Sequence, residues 1–383
     1  MNTWHEVKRS RFRTRYVRLL KLTFVGSTAL TAAATLICAT ASAAQSAVRS
    51  PLELTQQAQR FSHTGVKSPA CLPIPSALPA ALDQLKYYVD KQNSIIDPAL
   101  FEAQRQRDAE LRAALEALAV QTQALVVATP ASRQGIANCL AGYLRKFAHD
   151  DTFNATTHFR GTGAVRLYAA GPFFAYVVAH QLDIVPAADD GDIRAWIAHL
   201  AENILRYEKS FPYHNNISYW AGASLALAAV ALNEPRYLDA AVEIARQAAR
   251  DVSSNDVMPA ELARGVRAME YQLFALEAVS VIGFVAHANG IEIAQENNAA
   301  LLRVMKTVKD ALHDPQPLIA LGVAPAAFSP DYVYAQNMGW LLFYRLMTGD
   351  TSADKLVCGF RSLYTFRAGG DWFQLFGDPS WCQ

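Results

Sequence analysis

The sequence predicts an all-α protein closed into an α/α toroid, an incomplete barrel of antiparallel helix pairs around a cleft. Three observations carry that expectation. From about Pro98 to Phe360, apolar residues recur at helical spacing in ten successive runs. The runs are joined by short breaks carrying Pro, Gly, Asn or Asp, which make consecutive helices antiparallel neighbours. Asn233–Arg250 looks like a helical-repeat unit, yet no period near ~34 or ~40 residues runs through the chain. A closed ring is therefore favoured over an open solenoid.

In chain order, the N-terminus comes first and reads as a processing segment. Lys8, Arg9, Arg11, Arg13, Arg15, Arg18 and Lys21 form a basic region. An apolar run from Leu22 to Ala39 and the small-residue pattern Ala41-Ser42-Ala43 follow. This is the order of a signal peptide, with cleavage after Ala43, and it predicts export to the periplasm with no membrane anchor after cleavage. Cys38 follows bulky Ile37, which does not suit a lipoprotein site. Residues 44–79, rich in Ser, Pro, Ala and Gln, read as a leader that wraps over one domain spanning residues 80–383. Chain length and a hydrophobic content of 52% are ample for such a core.

The helices are expected at Pro98–Ala128, Arg133–Phe147, Gly163–His180, Asp192–Glu208, Ser218–Ala231, Pro235–Val252, Pro259–Asn289, Ala294–His313, Asp331–Met347 and Ala353–Phe360. Only Leu363 to Phe376 has the aromatic and glycine content of a strand or a fixed loop. Four cysteines follow the cleavage point. An even number in an exported chain suggests disulfides in one of three connectivities, of which Cys71–Cys139 with Cys358–Cys382 is preferred.

Removing residues 1–43 turns the formal charge of +1 into about −5, from 28 basic and 33 acidic residues. A nucleic-acid partner is not expected, and an anionic ligand would need positive charge concentrated in a groove. HExxH, Walker, GxSxG and dinucleotide patterns are missing, and the histidines do not cluster at ligand spacing, so neither metal nor cofactor is expected.

Two constellations remain. Asn215-Asn216-Ile217-Ser218-Tyr219-Trp220 stands at a helix entry, where Asn is a good cap and Trp220 can fix the helix to the core. Glu261–Glu277, ELARGVRAMEYQLFALE, places Arg264, Arg267 and Tyr271 at steps of three and four, on one face of an expected helix. Arg264 and Tyr271 would then stand roughly 10 Å apart along its axis. Read alone, the first is a cap and the second a salt-bridged surface stripe with Glu261.

Together they resemble the periplasmic alginate lyases that cleave poly-β-D-mannuronate, which share NN-x-SYWA followed by ELxRxxRAxxY. The resemblance extends to Ala70-Cys71-Leu72-Pro73, Leu85-Lys86-Tyr87, Ala288–Arg303 and Tyr364–Phe376. It implies the same toroid, an acidic polysaccharide as substrate, a monomer, and β-elimination. In that reaction the C6 carboxylate is neutralised, a base removes the C5 proton and an acid protonates O4. The resemblance assigns the carboxylate to Asn216 and Arg264, and the acid, which can also serve as base, to Tyr271. Lys86 matches a basic residue on a substrate-covering loop, and Arg367 a C-terminal arginine near the cleft. Asn215, His214, Tyr219, Trp220 and Arg267 are expected to complete the substrate-binding walls.

The chain departs from the family at Ile217, where the motif carries a histidine that neutralises the carboxylate or acts as the base. Tyr271 alone can serve both faces of the reaction only when C5–H and O4 lie on the same side of the ring, as in mannuronate or glucuronate. The expected activity is therefore cleavage of a β-1,4-linked mannuronan or glucuronan-like polymer. The alternative is a catalytically degenerate relative that binds an acidic exopolysaccharide during export or assembly. A third reading, an unrelated helical interaction protein, would lack an arginine-lined cleft.

Overall fold

The computed structural model describes residues 47–54, 57, 69–330, 333, 335–360 and 362–382. The expected signal peptide over residues 1–43, with its Cys38, lies outside the described residues, as does Asp331 at the expected start of the ninth helix.

The described helices are α1 (Pro98–Arg107), α2 (Ala109–Val126), α3 (Pro130–His149), α4 (Phe159–Tyr168), α5 (Ala170–Gln181), α6 (Ala187–Ser210), α7 (Asn216–Leu232), α8 (Pro235–Arg250), α9 (Pro259–Leu262), α10 (Ala268–Ala288), α11 (Glu296–Ala311), α12 (Gln316–Ala320), α13 (Trp340–Thr348), α14 (Ser352–Gly359) and α15 (Trp372–Phe376). Four of them, α5, α7, α10 and α13, pack side by side in succession and form the inner layer. Their sequences show why. In α7, Ala221, Ala223, Leu225, Ala226, Ala228 and Ala229 are all fully buried, so this helix is covered on every side. By contrast, α8 buries one stripe, including Tyr237, Ala241, Val242, Ala245 and Ala248, and turns its charges outward. The outer layer includes the pairs α3–α6 and α8–α11.

A short tail closes the ring. β1 (Tyr364–Thr365) and β2 (Gly370–Asp371) form an antiparallel ribbon that packs on α2. The Asp371 N–H donates to Gln123 Oε1 at 2.6 Å, and the Tyr364 hydroxyl donates to the Glu116 carbonyl at 3.1 Å. The tail is thus the fixed loop and strand that its composition suggested. Both preferred disulfides are present, Cys71–Cys139 and Cys358–Cys382. Residues of the leader lie on the helices, where the Val48 and Arg49 N–H groups donate to Asn233 Oδ1 and Asn289 Oδ1, both at 2.8 Å.

Several expected helices are interrupted. Pro98–Ala128 breaks at Asp108, and Gly163–His180 begins earlier and breaks at Ala169. Asp331–Met347 becomes helical only at Trp340, after a 3-10 turn at Ala335–Asn337. The last of these starts late because its capping group is distant in sequence. The Trp340 N–H donates to the buried carboxyl of Glu277 on α10 at 3.1 Å. Gly339 is required there, since a β-carbon would lie 2.5 Å from Glu277 Oε1.

Burial pushes Glu277 up to about 8, against the hydrogen bonds from Trp340 and Gly339. A carboxyl whose folded pKa is raised stabilises the fold fully below its unfolded value, and that contribution is lost as pH rises through the folded value. The expected result is a loss of unfolding free energy between about pH 4.5 and pH 8, of up to about 5 kcal/mol. Glu277→Gln keeps an acceptor without the titration. Urea unfolding at pH 5 and pH 8.5 should show a smaller loss in that variant than in the wild type.

Candidate active site

The two sequence constellations meet where α7 begins, α9 turns into α10, and a hairpin over residues 86–97 folds across them. The hairpin pairs Tyr88 with Ile96. Its tip is tied by the Asp90 carboxylate, which accepts from the Ser94 and Ile95 N–H groups at 2.9 and 2.8 Å and from the Ser94 hydroxyl at 2.7 Å. An Asp that accepts from the backbone a few residues on is a standard way of closing a turn. Tyr87 packs edge-on against Phe101, with ring centroids 5.2 Å apart.

The expected continuous helix through Glu261–Glu277 is not formed. α9 ends at Leu262, and a 3-10 turn, Gly265–Arg267, leads into α10. Gly265 has φ of +56°, a left-handed conformation that costs glycine little and other residues more. The Arg264 guanidinium lies 4.8 Å from the centre of the Tyr271 ring. The Arg267 guanidinium lies 5.4 Å from the same ring. Two cations over one phenol are attracted by its π face and favour its anion.

Arg267 is aimed by a two-pronged ion pair with Glu270, at 2.6 Å for each nitrogen, and its third nitrogen donates to the Tyr88 hydroxyl at 2.9 Å. The Tyr88 and Tyr271 hydroxyls are 2.7 Å apart. With Arg267 donating to its oxygen, Tyr88 has its own proton to give to Tyr271. Burial pushes Tyr271 up to about 12, while Arg267, the bond from Tyr88 and Arg264 pull the other way. Burial likewise pushes the Tyr88 phenol up, so Tyr88 is held as a neutral donor.

On the other wall, Asn215 caps α7 by accepting from the Ile217 N–H at 3.0 Å. Its neighbour Asn216 is buried and bound to Glu261, to which its backbone N–H and side-chain amide donate at 2.6 and 2.9 Å. Arg264 Nε is 3.7 Å from the same carboxyl. Glu261 is fully buried, and burial raises its pKa against the pull of Arg264 and Asn216. Glu261 therefore sets the positions of both expected carboxylate ligands. Another Arg264 nitrogen donates to the Gln92 carbonyl at the hairpin tip, at 3.1 Å. The Asn216 side-chain oxygen Oδ1 is buried and has no hydrogen-bond partner among the described residues.

Asn216, Arg264, Arg267 and Tyr271 are thus brought together. Arg367 lies against Phe274, one helical turn beyond Tyr271, at 5.3 Å from the ring centre. Lys86 is exposed at the root of the hairpin. Three expected wall residues lie elsewhere. His214 is exposed and faces Asp251, with Nδ1 3.3 Å from the carboxylate. Tyr219 is buried and, with His214, lines a separate pocket of about 360 Å³ between α6, α7 and α8. Trp220 is fully buried and packs on Phe274 at 5.2 Å, supporting the site from behind. The reason is helical geometry, since the first turn of α7 points in all directions and only Asn216 among these faces α9.

Sequence reasoning missed Tyr88, Glu261 in its positioning role, and Glu270. Tyr88 directly follows Leu85-Lys86-Tyr87, but nothing local marks a hydroxyl that will meet Tyr271 across 183 positions.

The family model described as alginate lyase matches residues 41–318. This chain belongs to the alginate lyase family. It is classed by that membership among the polysaccharide lyases. The relatives it resembles include alginate lyases of Pseudomonas putida (strain GB-1), 28% identical over 63% of this chain and 68% of that one, and of Pseudomonas entomophila (strain L48), 33% identical over 53% and 54%. The match to these curated relatives thus spans between about half and two thirds of their length. Among solved structures, a variant of alginate lyase A1-III complexed with tetrasaccharide superposes with a TM-score of 0.71 at 20% identity, covering 87% of this chain and 97% of that one. Alginate lyase A1-III from Sphingomonas species A1 gives 0.68 over the same shares. At that identity the likeness establishes the fold, the helical toroid that the sequence predicted.

Proposed function

We propose that this alginate lyase family member cleaves a β-1,4-linked uronan, mannuronan or glucuronan-like, by β-elimination. The observation that carries the proposal is the Tyr271 phenol, held under two guanidiniums and bonded to Tyr88. The remaining guanidinium nitrogen of Arg264 and the remaining amide N–H of Asn216 receive the C6 carboxylate, which acidifies C5–H. Tyr271 as phenolate takes the C5 proton. The electron pair forms C4=C5, the C4–O4 bond breaks, and the same phenol returns its proton to O4. Arg264, Arg267, Lys86 and Arg367 supply the local positive field that the chain, negative once residues 1–43 are removed, needs to hold a polyanion. Both disulfides support an oxidising compartment, the periplasm, for a protein acting as a monomer.

The test is incubation of the mature protein with mannuronan, glucuronan and guluronan, following the ultraviolet absorbance of C4=C5 ends. Signal on the first or second and none on guluronan is expected. Retention on a uronan affinity gel without any absorbance change would show instead the binding-only relative that Ile217 suggests.

A further inference from the structure

A cluster of aromatic rings outside the Tyr271 site has no role in the chemistry above. Phe159, at the first position of α4, is 61% exposed, and Tyr213, before α7, is 58% exposed. Both touch Phe211. The Phe159 and Phe211 ring centres are 5.7 Å apart with planes 30° from parallel, and Tyr213 meets Phe211 edge-on at 5.4 Å. We infer that Phe159, Phe211 and Tyr213 form a subsite that stacks on the C–H face of a sugar ring of the acidic polysaccharide, beyond the residue undergoing elimination.

The platform is fixed from beneath. Arg166, 1% exposed, lays its guanidinium on the Phe211 ring at 4.1 Å and pairs with Glu208 at 3.1 Å. Ser218 donates its hydroxyl to Glu208 and stands 3.0 Å from the Tyr213 carbonyl. A buried charge is costly unless paired, and here it is spent holding a surface ring in place. Large exposed apolar side chains in mutual contact, on a rigid support, mark a binding surface more than a lone exposed ring does.

Continuity with the catalytic cleft selects the occupant. Tyr213 is three residues from Asn216, so their Cα atoms are at most about 11 Å apart. Phe159 follows a segment bonded to the stretch that leads into the hairpin, where the Leu82 N–H donates to Thr156 Oγ1 and the Ala155 N–H to the Ala80 carbonyl, both at 2.9 Å. The platform is therefore close along the chain to Asn216 and tied to the segment that leads into the hairpin, and Phe211 also lines the neighbouring pocket with His214 and Tyr219. Arg160 and Lys209 beside it are exposed and form no ion pair with a described residue, which suits the carboxylates of such a chain.

This inference rests on the proposed uronan reading for its ligand, and it is tested by binding, independently of turnover. Labelled mannuronate trimer and octamer are titrated against the wild type, Phe159→Ala, Phe159→Trp and Tyr213→Ala. The octamer is expected to lose about tenfold in affinity with either alanine, the trimer less than twofold, and Phe159→Trp to keep the octamer. That result supports the subsite even if the wild type cuts no uronan, in which case only the lyase reading fails. Equal losses for trimer and octamer, wild-type octamer affinity in both alanine variants, or a wild type that binds neither oligomer would each overturn it. So would a wild-type dimer, seen by light scattering, that Phe159→Ala dissociates, because the face would then be a contact between copies.

Discussion

Tyr271→Phe is expected to lower kcat on mannuronan by about 10²–10⁴, the usual worth of a positioned acid or base. KM should stay within a few-fold, because the ring and its two arginine contacts remain and only the hydroxyl is lost. The same substitution leaves Tyr88 without its partner at 2.7 Å, in a half-buried setting, so a modest loss of stability accompanies it. The wild-type pH profile offers a second reading of the same group. With Tyr271 pushed up to about 12, its phenolate is a minor species at neutral pH. If the phenolate is the base, kcat/KM rises with pH from about 6 to 9. A flat profile, or residual activity in Tyr271→Phe near the wild-type level, would remove Tyr271 from the mechanism.

Ile217→His is expected to raise mannuronan cleavage by about 10²-fold or more, the order lost when one preorganised donor or a general base is missing. Ile217 lies in the first turn of α7, directly after buried Asn216. Its side chain offers no donor and is half-buried. His214 does not replace it, because that imidazole is turned to Asp251 at 3.3 Å. The measurement is initial rate on mannuronan for the wild type, Ile217→His and Ile217→His with Tyr271→Phe. A gain that survives loss of Tyr271 would make the new histidine the base. No gain at all would mean that the cleft works by Tyr271 without help at this position.

The helical toroid was legible in the sequence because its signals are local, and both disulfides followed from an even cysteine count and the preferred pairing. Apolar spacing in α7 and α8, Pro235 at a helix start and Asn233 at a helix end state themselves over a few residues. The site was legible in part for the same reason. Arg264, Arg267 and Tyr271 were marked as one group by spacing, and they are one group, although on a broken helix and not a continuous one. Gly265 was visible in the motif, but whether a glycine merely weakens a helix or reverses the chain depends on what packs against it. Here the hairpin tip at Ser94 lies against it.

What the sequence by itself determined is the helical class, the ring that the helices build, and the residue types available for binding a carboxylate and moving a proton. Tertiary structure alone decided which of them meet. It brought Tyr88 to Tyr271, placed Glu261 behind Asn216 and Arg264, and turned His214 and Tyr219 to a different pocket. It also capped α13 with Glu277 from another helix. The physical reason is range. Helical periodicity is set by hydrogen bonds four residues apart, whereas a phenol's proton affinity depends on charges, donors and burial brought from far along the chain.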